Sequence, residues 1–384
     1  MAVAFQLAWF QLRHEPRKLL AGVAGVVFAV VLCFMQLGFS DALFDSATAV
    51  QRRMTGDLFI VHRQSQALWR MTPFARRRVQ QALGVPGVAS AGLLYAGTAD
   101  WKNQRTVRRD PILVLGIDPV GGVLELPGLR DHLDAIKNEN VVVFDEWSRP
   151  EYGPVAALLR ANQPVAVEVN HRRLRVAGVF RLGASFAANG NLVTSELNFL
   201  RLFPGRSPSQ ADVGILRLRP GADIRVTQKA VASLMPDDVR VLTKQEFIHL
   251  ERNYWEETTA IGFIFTVSLF MGFVVGVVVV YQILYSEIMN HLPQYATLKA
   301  MGYTHGFLLG VVGSAALMLS VLGYLPGLVV SAGLYHLTSS ATALPMGLGV
   351  PKLALVFGLT LGMCLLSGAL ALRKLRAANP ADMF

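Results

Sequence analysis

The run IGFIFTVSLFMGFVVGVVVVYQIL, Ile261–Leu284, decides the architecture. It holds 24 residues without one Asp, Glu, Lys or Arg. As a helix rising about 1.5 Å per residue it is longer than the ~30 Å hydrocarbon core of a bilayer. Three other stretches share this character, so the predicted spans are 19–39, 258–284, 306–335 and 353–372. Ala47 and Ala49 follow the first span at the spacing of a leader-peptidase site. Its apolar run nevertheless exceeds the ~7–15 residues of a signal core, so it is read as a retained span.

Working outward, the four spans leave one long segment, 40–257, between the first and the second. Lys and Arg near the spans set the orientation. Arg13, Arg17 and Lys18 precede the first span and Arg373, Lys374 and Arg376 follow the fourth, whereas the 336–352 connector carries only Lys352. Both termini (1–18 and 373–384) and the 285–305 loop are therefore expected in the cytoplasm, and 40–257 outside it. The fold class is an α-helical membrane protein with four transmembrane helices plus an α+β extracytoplasmic domain between helices one and two.

Composition agrees: 53% of the 384 residues are apolar and 16% charged, unusual for a chain wholly in water. The net charge of +10 gives no reason to invoke nucleic acid. Eight of the basic and three of the acidic residues lie outside 40–257, so the large segment is only mildly basic and its cations are dispersed. The local cluster FARRRVQ is read first as a solvated helix face, with anionic lipid or a partner as the alternative. Cys33 and Cys364 both fall in spans, so the outer segment folds on a hydrophobic core without a disulfide framework.

The chain carries no G-x-x-x-x-G-K-[ST], H-E-x-x-H or G-x-S-x-G, and its eight histidines are scattered. Asp145 and Glu146 are adjacent and would face opposite sides of a strand. No catalytic residue, cofactor or metal ligand is assigned, and the chain is expected not to be an enzyme. The spans also lack the ionisable residues that mark an ion route. Gly272 and Gly276, and Gly323 and Gly327, form G-x-x-x-G pairs suited to close helix packing. Pro326 is expected to kink the third span.

Within 40–257, DLFIV, GVASAGLLYAG, PILVLGID and NVVVFDE read as strands, and FARRRVQQAL and GPVAALLRA as helices. PVAVEVNHRRLRVAGVFRLG reads as a hairpin turning near Asn170, and VGILRLRPGADI, VTQKAVASLM and DVRVLT as a β-α-β unit. Two interleaved lobes with the hairpin-rich part inserted centrally are expected. Thr243 with Glu246 has the capping-box spacing, and the sequence after it runs without a breaker into the second span. An unbroken stalk helix over 243–257 is predicted, with Tyr254 and Trp255 as interfacial anchors. At the amino terminus, Phe5, Ala8, Trp9 and Leu12 have amphipathic spacing, which suits a helix on the cytoplasmic face or an extension of the first span.

The loop SEIMNHLPQYATLKAMGYTHGF, Ser286–Phe307, holds more structure than a connector needs. Pro293 suits a first helical position and Gly302 the position after a helix end, which predicts a short helix over 293–301. Tyr295, Ala296, Lys299 and Tyr303 share one of its faces. Such a face serves docking to another chain or residence at the lipid interface, and composition does not choose between them.

This loop, with FMQLGFSDALFDSA, GDLFIVHRQSQAL, LERNYWEETTAIGFIF, GFVVGVVVVYQILYSEI and the terminal NPADMF, resembles the FtsX-like permeases of the MacB-type ABC exporters, the DevC-like members in particular. Gln294 stands where that pattern has Glu, and Ala260 where it has Pro. The resemblance implies an ATPase-coupling loop comprising Glu287, His291, Pro293, Gln294, Tyr295, Ala296, Lys299, Gly302 and Tyr303. It implies a stalk built on Glu251, Tyr254 and Trp255, and helix packing at Gly272 and Gly276. The implied partners are an ABC ATPase subunit, a second copy in a homodimer, a periplasmic membrane-fusion adaptor, a TolC-like outer-membrane channel reached through it, and membrane lipids. The implied function is a permease that couples ATP hydrolysis by its partner to efflux by mechanotransmission. A lipoprotein-releasing permease and an FtsX-like regulator of a cell-wall hydrolase are the alternatives.

Overall fold

The computed structural model describes residues 6, 10, 16–103, 108–290, 301, 305–342, 344 and 346–377. They form α1 (Pro16–Ala47), α2 (Ala49–Arg53), β1 (Leu58–His62), β2 (Phe74–Ala75), α3 (Arg77–Leu83), β3 (Val88–Lys102) and β4 (Arg109–Ile117). There follow β5 (Val141–Asp145), α4 (Val155–Arg160), β6 (Val165–Val169), β7 (Arg172–Phe180), β8 (Asn191–Ser195), α5 (Glu196–Leu202), β9 (Gln210–Ala211) and β10 (Val213–Leu218). The chain closes with α6 (Ile224–Leu234), β11 (Val239–Thr243), α7 (Lys244–Asn253), α8 (Ala260–Asn290), α9 (His305–Thr342) and α10 (Val350–Ala377). It divides into two compact units: Met1–Ala42 with Ile261–Ala341 and Met346–Phe384, and Leu43–Ala260 with Thr342–Pro345.

The second unit is built on a nine-stranded sheet, order β11-β1-β10-β3-β4-β8-β5-β7-β6. Its first four strands, with α3 between β1 and β3 and α6 between β10 and β11, are two interlocked split β-α-β units. The expected central insertion lies between β3 and β10. It is not a separate lobe, because β3 is 15 residues long and belongs to both parts. The first half of β3 pairs with β10 and the second half with β4, while Trp101 and Lys102 at its end pair with Val169 and Glu168 of β6. That last pairing closes β3-β4-β8-β5-β7-β6 into a ring. The β6–β7 hairpin turns through Asn170 and His171, with φ of 47° and 62°, the paired left-handed values of a two-residue type I′ turn.

Alternation along the strands explains how the sheet is buried on both faces. Leu58, Ile60, Tyr95, Val114, Val142 and Leu216 join one core with Val79 of α3, Phe199 of α5 and Val231 of α6. Their neighbours Phe59, Val61, Leu94, Leu113, Val143 and Ile215 join a second core with Val50, Met54 and Phe247. At the free edge, Gln228 Nε2 donates to the Val241 carbonyl of β11 (3.0 Å), which covers one edge acceptor.

Among the described residues, four helices are long and apolar enough to cross a membrane: Leu19–Ala47, Ala260–Ser286, Gly310–Thr342 and Val350–Arg373. The first, third and fourth are longer than the predicted spans. The apolar composition ends at Phe39, but Ser40–Ala47 contains neither Gly nor Pro, so helical hydrogen bonding continues. Val26, Ala29, Val30, Cys33 and Phe34 form a buried stripe on α1 at helical spacing. Val26 and Val30 pack so closely on Gly323 and Gly327 of α9 that a Cβ at either glycine would overlap them. Gly276 of α8 is similarly enclosed by Met363 and Ala29, whereas a Cβ at Gly272 would lie 3.9 Å from Leu32, in ordinary contact. Buried Ser331, Thr360 and Ser367 each donate to the carbonyl four residues earlier, so these hydroxyls are satisfied within their own helices.

Candidate functional site

The residues from Thr243 to Thr259 form the candidate site. Thr243 Oγ1 accepts from Glu246 N (3.3 Å) and Glu246 Oε2 accepts from Thr243 N (2.8 Å), closing the predicted capping box. Burial raises the pKa of Glu246, but the bonds from the Thr243 backbone, Arg225 and Gln228 outweigh it and hold the value at about 2.

The predicted unbroken stalk is interrupted. Regular α-helix ends at Asn253, Tyr254–Thr258 form a wide π turn, and Thr259 is extended (φ −104°, ψ 154°) before α8 begins. Tyr254 and Trp255 are also not exposed anchors, since both are buried. Adjacent residues on an α-helix diverge by about 100°. The wider turn lets both rings enter one packed region, 5.5 Å apart and edge to face, with Trp69 edge-on to Tyr254 at 6.0 Å. Thr259 Oγ1 donates to the Trp255 carbonyl at 2.7 Å.

Glu251, one turn earlier, is 2% exposed. Its Oε2 accepts from Gln51 Nε2 and from Leu68 N, both at 2.7 Å, and its Oε1 accepts from Trp255 Nε1 at 3.2 Å. One carboxylate thus joins α2, the segment after β1, α7 and the π turn. Burial raises its pKa to about 7, because the three neutral donors only partly replace water. Lys244 Nζ donates to the Met54 carbonyl (2.9 Å), a second tie between the same chain regions. Glu251 also lines a small crevice at the surface, of about 20 Å³, with Ser46, Leu68, Trp69, Leu182 and Asn191.

A second buried carboxylate, Asp145, accepts from Trp147 N, Leu182 N, Gly183 N and Asn191 Nδ2 at 2.8 to 3.1 Å. Glu146 points the other way, to Arg160 and Arg181. In the helical unit, Asp41 of α1 pairs with Lys352 of α10 at 2.8 Å. The Lys352 ammonium lies 5.3 Å from the centre of the Tyr335 ring, and Tyr335 donates to the Phe34 carbonyl.

Of the coupling-loop residues, Glu287 lies in α8. His291, Pro293, Gln294, Tyr295, Ala296, Lys299, Gly302 and Tyr303 lie outside the described residues, as do Phe5, Ala8, Trp9 and Leu12. Sequence reasoning missed the roles of Gln51 and Leu68, which lie about 200 positions from Glu251 and carry no local signal. It also missed Asp41 with Lys352; the clue was a lone anion and a lone cation at the ends of apolar runs.

A search of curated proteins gives no match. Among solved structures, the chain is similar to the periplasmic region of MacB from Actinobacillus actinomycetemcomitans, at 17% identity and a TM-score of 0.37, over 53% of this chain and 95% of that one. It is also similar to the extracellular domain of the noncanonic ABC-type transporter YknZ from Gram-positive bacteria (15%, TM-score 0.34, 49% and 99%). A domain of a putative permease protein from Porphyromonas gingivalis gives 16%, 0.30, 50% and 89%. Residues 262–380, which hold most of α8 and all of α9 and α10, match the family model of the FtsX-like permease C-terminal region.

Proposed function

We propose that this chain is the membrane subunit of an ATP-driven exporter of the DevC-like kind, inserted in a bacterial inner membrane with its large domain in the periplasm. The family match over 262–380 carries the reading, because that stretch contains the loop whose residues resemble a coupling segment. A separate ABC ATPase docks on the loop around Tyr295, Lys299 and Tyr303, and two copies of the permease act together. Closure of the ATPase displaces the loop, and the displacement travels along the chain through α8 and the residues of α7. The large domain then drives substrate through a membrane-fusion adaptor to a TolC-like channel. Apolar helices suit this division of labour, since the moving parts and the substrate route lie outside the lipid.

The test is co-purification from detergent, followed by ATPase assay. Recovery of an ABC ATPase with an adaptor and a TolC-like channel supports the exporter. Recovery of a cell-wall hydrolase, or of a lipoprotein cargo without a channel, replaces it by one of the two alternative permease types.

A further inference from the structure

The clasp around Glu251 has features that a passive joint does not require. Its carboxylate is buried with neutral donors only, and it lines a small crevice at the surface. It also stands one turn before the π turn and the extended Thr259, where the helical ladder is interrupted. Gln51, itself fully buried, donates through Nε2 but leaves Oε1 without a partner among the described residues. A carboxylate can only accept hydrogen bonds, whereas a carboxylic acid also donates one. Turning the Gln51 amide over would bring an acceptor to that proton.

We propose that Glu251 is a proton-binding site that sets the closure of this clasp. In the neutral form the clasp is shut, with the acid proton donated to Gln51. In the ionised form the closed state holds an unpaired buried charge, and the clasp opens more often toward the crevice, through which the proton exchanges with solvent. The proposal does not depend on the exporter reading, because every residue in it belongs to the Leu43–Ala260 unit.

The charged groups on the surrounding elements are otherwise engaged or point away. Asp45 at the end of α1 pairs with Arg52 of α2, and Arg252 on α7 pairs with Glu256 in the π turn. Arg63 after β1 pairs with Asp237, Glu246 with Arg225, and Lys244 with the Met54 carbonyl. Arg53, Arg70, His249 and Glu257, on the same elements, make no contact with the Glu251 carboxylate among the described residues. No charge therefore competes with burial in deciding which form is favoured.

The direction follows from linkage. The closed clasp titrates near pH 7 and a solvated glutamate near 4.5, so the closed state keeps a proton that the open state loses between those values. Opening should become on the order of 100-fold more frequent as pH rises from about 5 to 8.

Hydrogen exchange on the full-length protein in lipid nanodiscs, corrected for intrinsic base catalysis, reads this directly. The peptides containing the Leu68 amide and residues 244–258 are expected to lose protection by about 100-fold over that range, with β5 unchanged. Glu251→Gln, uncharged throughout, is expected to show a flat profile. Parallel wild-type and Glu251→Gln profiles, or protection that rises with pH, overturn the proposal. Should Glu251→Gln not fold, infrared difference spectra of wild type between pH 6 and 8 decide it. Loss of one protonated glutamic-acid band supports the proposal, and its absence overturns it.

Discussion

At the scale of single residues, the protein buries charges of both signs. Asp145 is surrounded by four donors within one loop system, and it fastens the Leu182–Asn191 loop beside the crevice. Burial pushes its pKa up and the hydrogen bonds pull against that shift. Asp145→Ala would strand these donors in a buried site. It is expected to destabilise the full chain by about 3 kcal/mol, measured as a shift in denaturant midpoint in detergent. A loss below a few tenths of a kcal/mol would mean that the loop is held by something else. Lys352 poses the opposite case, a cation only 8% exposed whose partner Asp41 is half exposed. Asp41→Asn leaves that cation without its anion, and a lower melting temperature is expected, with recovery in the charge-exchanged pair D41K/K352D.

At the scale of elements, the caps and contacts make separable contributions. Thr243→Ala removes the acceptor for Glu246 N and should cost about 1 kcal/mol. Glu246 titrates below its ordinary value, so it adds stability above about pH 4.5 that is lost as pH falls toward 2. The gap in melting temperature between wild type and Glu246→Gln should therefore be wide at pH 6 and narrow at pH 3. In the helical unit, Gly323→Ala places a methyl against Val26, and overpacking there should cost about 1 to 3 kcal/mol in thermal unfolding.

The capping box, the apolar helices, the Asn170 turn and most strands were legible because each depends on neighbours in sequence. The π turn was not. It follows a carboxylate that collects donors from Gln51 and Leu68 as well as from nearby Trp255, and no local pattern in YWEETTA reveals such a partner set. The sharing of β3 was hidden for a similar reason. A strand that changes partners midway keeps the same alternation throughout.

At the scale of the whole molecule, the coupling hypothesis separates function from folding. Lys299→Glu or Tyr295→Ala should lower stimulation of the partner ATPase by at least about tenfold, since anchor residues at interfaces dominate affinity. Exchange protection in the nine-stranded sheet should stay unchanged. Full stimulation by both variants would remove the loop from the coupling role.

The register of β1 and β11 has a mechanical meaning. Leu58 lies opposite Thr243, so the connections that lead back to α1 and onward to α8 leave adjacent antiparallel strands at the same end. Tension that draws those connections apart would peel the two strands like a zipper, one rung at a time. It would not shear the ladder all at once. Gln51 with Glu251, and Met54 with Lys244, lie outside that first rung along the chain. They take the load before the strands do, so the rupture force in single-molecule pulling would report the strength of those side-chain bonds before that of the sheet.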